Sequence, residues 1–117
     1  LLFVPGKPSK PQIISSTTEV AQGRWITLTC ESIPNTKPYY VDFPQLTYTW
    51  YVNGTVKKPN NYQASGESLT ITSVTRSDSY NRISCRATQN TTVSEFSDII
   101  KLNVLCEYFI IHFYSLM

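Results

Sequence analysis

Apolar and polar side chains alternate along most of this chain from Pro11 onward. "RWITLTC" (24–30) sets Ile26, Leu28 and Cys30 against Trp25, Thr27 and Thr29. "LTYTWYV" (46–52) sets Leu46, Tyr48, Trp50 and Val52 against Thr47, Thr49 and Tyr51. "SLTIT" (68–72), "ISCRA" (83–87) and "IKLNV" (100–104) follow the same rule. A period of two sends successive side chains to opposite faces of a strand, so each run predicts a strand with one buried face and one wetted face. Gln22-Gly23, Asn53-Gly54, Pro59-Asn60-Asn61 and Ser65-Gly66 are turn signals between the runs. No window combines a helical period with caps. Short strands at regular spacing predict an all-β sandwich or barrel.

The ends differ from the middle. "PGKPSKP" (5–11) holds three prolines and a glycine, which predicts a stiff, extended linker. The apolar run "LLFV" before it is similar in character to "KLNVL" (101–105). Residues 1–10 are therefore expected to be the end of a preceding domain and its linker, and residues 11–105 the folded domain. The tail "CEYFIIHFYSLM" (106–117) is apolar but far shorter than the roughly 20 residues that span a bilayer. Three readings compete for it: the start of a truncated segment, translated non-coding sequence, or a peptide packed on the domain. The second is favoured, which leaves Cys106 as a thiol without a role; the alternative is an interchain disulfide. The chain begins at Leu1 without a signal peptide and is read as a piece of a longer protein.

Composition narrows the function. A chain of 117 residues suffices for one domain with a real core. A net charge of +2 gives no field that would favour nucleic acid or anionic lipid. His112 is the single histidine and sits in the tail, which argues against a His-based metal site or triad. There is no Gly-rich phosphate loop, no metal-spaced cluster and no nucleophile with a base. No catalytic residue, cofactor or metal is expected. Two sequons, Asn53-Gly54-Thr55 and Asn90-Thr91-Thr92, together with cysteines, favour an oxidising, secretory compartment.

Cys30, Trp50 and Cys85 all fall on the inward phase of their strands. This trio resembles the pin of an immunoglobulin-like domain, on strands B, C and F. "EVAQGRWITLTC" resembles the A′ strand, turn and B strand. "TWYVNGT" resembles strand C running into C′. "GESLTITSVTRSDSYNRISCRA" resembles strand E, the E–F corner and strand F, with Asp78 seven positions before Cys85 at the corner aspartate. The resemblance spans roughly residues 11–105. It implies a two-sheet antiparallel sandwich with Greek-key connections, of I-set or C2 type. Only about ten residues separate C′ from E, room for a short D strand and none for C″. It also implies a Cys30–Cys85 disulfide, with the Trp50 indole filling the gap beside it. Closing a loop of about 56 residues would contribute on the order of 4 kcal/mol in the chain-entropy picture. Two features depart from the family pattern. Ile83 stands where the corner tyrosine is usual, and Tyr80 is a disfavoured substitute. The segment "ESIPNTKPYYVDFPQ" (31–45) lengthens the B–C connection.

Several residues are candidates for contact. Tyr39, Tyr40 and Phe43 lie on the B–C loop among Pro34, Pro38 and Pro44, as a partner-binding surface or, alternatively, folded down to plug the core. Asn90 lies at the F–G tip of the same end, where a glycan would shift binding toward the sheet faces. Asn53 lies at the opposite end, and its sequon competes with its use as a tight-hairpin residue. Trp25 is expected to be half covered by strand A or lysine stems, with a binding role as the alternative. Lys57 and Lys58 are expected at a solvated edge, and Asp78 and Arg76 to cap and pair at the E–F corner.

The resemblance implies a non-enzymatic recognition module of a tandem-domain cell-surface adhesion molecule or receptor. Its partners would be protein ligands or like immunoglobulin domains, not nucleic acid. It would be extracellular, at the plasma membrane or secreted, and membrane-attached only through a segment outside this chain. The alternatives are a secreted immune-type recognition protein and a spacer domain in a matrix or intracellular array.

Overall fold

In a computed structural model, residues 7–15, 17–34, 46–89 and 91–105 are described. The strands are β1 (Gln12–Ile14), β2 (Glu19–Ala21), β3 (Ile26–Glu31), β4 (Leu46–Val52), β5 (Tyr62–Ser65), β6 (Ser68–Ile71), β7 (Arg82–Gln89), β8 (Thr92–Val93), β9 (Ile100–Lys101) and β10 (Asn103–Leu105). One sheet has the order β1-β3-β6-β5. The other has the order β4-β7-β8, with β9 also on β7. The connections from β3 to β4 and from β6 to β7 pass between the sheets, as in a Greek-key sandwich. After β9, Leu102 is fully buried and β10 pairs in parallel with β2.

The inward phases meet in one core. Leu28, Cys30, Leu69 and Ile71 come from one sheet; Trp50, Val52, Ile83 and Cys85 come from the other. Val20, Tyr62, Val74 and Leu102 close its ends. Burying each large aliphatic side chain contributes about 1.5–3 kcal/mol. Cys30 and Cys85 form a disulfide between the sheets, with Cα atoms 6.4 Å apart. Trp50 is 1% exposed, and its Nε1 is buried without a hydrogen-bond partner among the described residues. The indole serves here through its volume, because its one polar atom is left unsatisfied.

The E–F corner differs from the expectation. Tyr80 is 66% exposed and lies beside Lys101, so it does not enter the corner. Ile83 is buried and brings no hydroxyl. Tyr62 of β5 supplies one instead: Asn81 Nδ2 donates to its phenol oxygen at 2.8 Å. Burial pushes the Tyr62 phenol above its ordinary value of 10.0. Asp78, only 2% exposed, accepts from the Thr75 N–H at 2.8 Å, the Thr75 hydroxyl at 3.1 Å and Asn61 Nδ2 at 2.9 Å. Its partners are thus an amide, a hydroxyl and the backbone. The expected pairing with Arg76 is not made, and Arg76 has no ion pair among the described residues.

Trp25 also corrects the expectation: it is 71% exposed. β1 pairs with β3 only over Thr29–Glu31, so strand A ends before it can reach Trp25. The Asn53-Gly54 turn has positive φ at both positions, 52° and 82°, the conformation of a two-residue hairpin loop that twists with its strands. Beyond it, the expected C′ strand is reduced to one bridge, Val52–Thr55. The chain then leaves for β5 in the other sheet, through Pro59, which has no N–H to give a ladder. Among the described residues, nothing else pairs with the outer edge of β4.

The described part of the Pro-rich segment lies against the domain. Ser9 exchanges backbone and side-chain hydrogen bonds with Ser32 and Ile33. Lys7 and Lys10 pair with Glu95 and Asp98 at 3.6 and 2.7 Å.

Candidate functional site

The outer face of the second sheet is built on β7. Its outward set is Arg82, Ser84, Arg86 and Thr88, and the register places Tyr51 beside Ser84 and Thr49 beside Arg86. On the other side the partner strand slips twice. Arg82 lies six positions from Thr88 on β7, while Lys101 lies eight positions from Val93 on the partner. Two extra residues are therefore absorbed between β8 and β9, as two successive β-bulges.

Serines hold the bulges. The Ser94 N–H donates to the Ala87 carbonyl at 2.8 Å, and the Ala87 N–H donates to Ser94 Oγ at 2.9 Å. Ser97 repeats this with Cys85, at 2.9 and 3.0 Å. Each hydroxyl stands where a strand carbonyl would accept, then passes its own proton to the next carbonyl, of Glu95 or Asp98. Both serines are buried, so these bonds replace ladder bonds that the bulges removed. The inward positions become 94, 97 and 100. The residues between them, Phe96 and Ile99 included, are left outside.

Phe96 is 46% exposed and meets the Tyr51 ring edge-on, with centroids 5.0 Å apart. The Arg86 guanidinium lies 4.3 Å from the Phe96 ring centre, and its Nε donates to the Ser94 carbonyl at 3.1 Å. Stacking of this kind contributes about 0.5–1 kcal/mol and fixes the guanidinium plane. Lys101 lies beside Arg82 in the register, with Nζ 5.5 Å from the Tyr80 ring centre. Phe96, Ile99, Ser84, Ser97, Arg82 and the Asn53-Gly54 turn line a shallow groove of about 510 Å³.

The charges on this face are unbalanced. Glu95 and Asp98 are taken by Lys7 and Lys10. Among the described residues, Arg82, Arg86 and Lys101 have no ion pair. The opposite sheet presents a different surface, mostly Thr27, Thr29, Glu31, Gln63, Ser68 and Thr70, with the single exposed ring of Trp25 one residue before β3 and no arginine stacked on it among the described residues. Aromatic rings with arginine are the side chains that dominate interface energetics, and hydroxyl-rich faces are not.

Of the residues singled out from the sequence, Cys30, Trp50 and Cys85 come together in the core. Tyr39, Tyr40, Phe43 and Asn90 lie outside the described residues. Asn53 stands at the rim of the groove, with both amide atoms engaged. Its Oδ1 accepts from the Arg82 N–H at 2.9 Å, and its Nδ2 donates to Asn81 Oδ1 at 3.1 Å. The Tyr51–Phe96–Arg86 cluster is not legible in the sequence, because alternation by two places no consistent face on "SEFSDI" (94–99). The signal available was the pair of serines three apart. Among the described residues there is no group of three metal-ligating side chains, and no helix long and apolar enough to cross a membrane.

A family model for the immunoglobulin domain matches residues 10–104. No curated protein matches the sequence. Among solved structures, the full ectodomain of mouse nectin-like molecule 4 is 23% identical with a TM-score of 0.65, over 86% of this chain and 31% of that one. Murine CEACAM1b is 20% identical with a TM-score of 0.63, over 85% and 46%. A C. elegans twitchin fragment carrying kinase and immunoglobulin domains is 22% identical with a TM-score of 0.56, over 84% and 21%. The chain thus spans less than half the length of each.

Proposed function

Because the chain belongs to the immunoglobulin domain family, we propose that it is a non-enzymatic, extracellular protein-recognition module. It serves as one domain of a tandem cell-surface adhesion molecule or receptor, with residues 11–105 as the folded unit. The observation that carries this reading is the outer β4–β7 face, where bulges hold Phe96 against Tyr51 and under Arg86 in contact with solvent. A domain that only set length would have no use for an exposed aromatic cluster with an oriented guanidinium. The Cys30–Cys85 bond supports an oxidising compartment. Resemblance of fold to an ectodomain such as that of nectin-like molecule 4 supports the cell-surface setting; by itself a fold hosts many tasks.

The rival reading is a spacer, and the fold's presence beside a kinase in twitchin keeps it in view. Mass spectrometry of the native protein with thiol labelling separates the two settings. A mass two hydrogens below the reduced value, with Cys30 and Cys85 unlabelled, is expected. Free thiols at both positions would remove the extracellular reading. Binding of the secreted chain to intact cells, abolished by trypsin treatment of those cells, tests recognition itself.

A further inference from the structure

Resting on that recognition reading, we infer that the outer β4–β7–β9 face binds an extended acidic segment of a partner protein, with carboxylates at Arg86 and at the Arg82–Lys101 pair and an apolar side chain in the groove between them. Charge complementarity selects the occupant. Three cations stand on this face without an ion pair among the described residues, while the nearby acids Glu95 and Asp98 are paired with Lys7 and Lys10. Desolvating unpaired cations against a neutral partner would be unfavourable, so the face discriminates for carboxylates.

Spacing fixes the form of that segment. Arg82 and Arg86 are four residues apart on one strand, about 13 Å at the usual rise. An extended peptide repeats its side-chain direction every two residues, so carboxylates four positions apart reach both ends. The residue midway between them shares their face and falls over Ser84 and Phe96. There the groove is lined by Phe96 and Ile99. The guanidinium of Arg86 is already held by its Nε bond and by the Phe96 ring, which leaves its terminal nitrogens to form a fork for a carboxylate with little ordering cost.

The test uses the full chain, isotopically labelled, titrated with a ten-residue peptide that carries Glu, Leu and Glu at alternate central positions. Peptides with Gln or Lys in place of Glu are the comparison. Amide shifts are expected at Tyr51, Ser84, Arg86, Phe96 and Ile99. The Gln peptide is expected to bind about tenfold more weakly, and Arg86→Gln to lower affinity by a similar factor. Arg82→Gln, at an exposed position, serves as the second variant, and thermal melts establish that both fold. Affinity should fall several-fold between about 50 and about 300 mM salt. Shifts on the Thr27–Thr70 face, equal affinity for the Gln peptide, or no shifts at millimolar peptide would each overturn the inference. So would a dimer in sedimentation that Arg86→Gln dissolves, since a second copy would then own the face. A glycan found on Asn53 would wall off the groove and overturn it as well. Trypsin-sensitive cell binding that survives Arg86→Gln sinks this inference alone. Free Cys30 and Cys85 thiols sink the reading beneath it.

Discussion

Trp50 and Cys85 face each other directly across the β4–β7 pair. Both backbone groups of Cys85 turn away from β4, its N–H to Ser97 Oγ and its carbonyl to the Ser97 N–H. Trp50 and Cys85 are therefore a non-hydrogen-bonded pair, the kind whose Cα atoms approach to about 4.5 Å and whose side chains lie closest. That places the indole beside the sulfur bridge to Cys30. The position of the tryptophan in "YTWYVNGT" thus has a geometric cause.

Replacing both Cys30 and Cys85 by alanine is expected to lower stability by about 2–5 kcal/mol, because the unfolded chain is no longer constrained. Trp50→Ala is expected to cost about 3–5 kcal/mol through the cavity beside the bridge. Denaturant midpoints measure both. A Trp50→Ala variant with an unchanged midpoint would show that the core collapses around the gap.

Ser97→Ala leaves the Cys85 N–H buried without its acceptor, for an expected loss of about 1–3 kcal/mol. The same change frees the bulge that presents Phe96. The Phe96 ring resonances should shift toward free-rotation values, and loss of stability without that shift would uncouple the serines from the cluster.

Asp78→Ala removes three hydrogen bonds to a buried carboxylate and is expected to cost about 1.5–3 kcal/mol. Arg76→Ala, with no ion pair among the described residues, should be neutral to within about 0.5 kcal/mol. Equal costs for the two would restore an arginine–aspartate pairing at the corner.

Tyr62 gives the domain an alkaline limit. Burial raises its native value above the ordinary 10.0, so the unfolded chain releases this proton first as pH rises. Its contribution is intact below pH 10 and declines above it, toward the raised native value. Tyr62→Phe cannot ionise and should lose stability less steeply in that range. At neutral pH it should be about 1 kcal/mol less stable, through the lost Asn81 bond. Parallel alkaline melts of the two proteins decide the point.

Trp25 and Trp50 should divide the fluorescence. Trp25 is exposed and Trp50 is buried, so Trp25→Phe is expected to leave blue-shifted emission that acrylamide quenches poorly. Trp25→Ser should change stability by no more than about 0.5 kcal/mol. Strong protection of both indoles would mean that Trp25 is covered.

The sequence by itself determined what depends on local period and turn chemistry. Alternation put Ile26, Leu28 and Cys30 on one face and Trp50 and Val52 on another, and Asn53-Gly54 supplied the positive φ that a two-residue hairpin needs. Tertiary structure decided whatever depends on the partner strand. Trp25 is bare because β1 stops short of it, and no property of Trp25 encodes the length of β1. Tyr62 supplies the corner hydroxyl because β5 begins beside Asn81, although 19 positions separate them. Phe96 meets Tyr51 and Arg86 only because two extra residues are absorbed opposite β7. A bulge is a mismatch between two chains' counts, and one strand's own pattern carries no record of the count on the other.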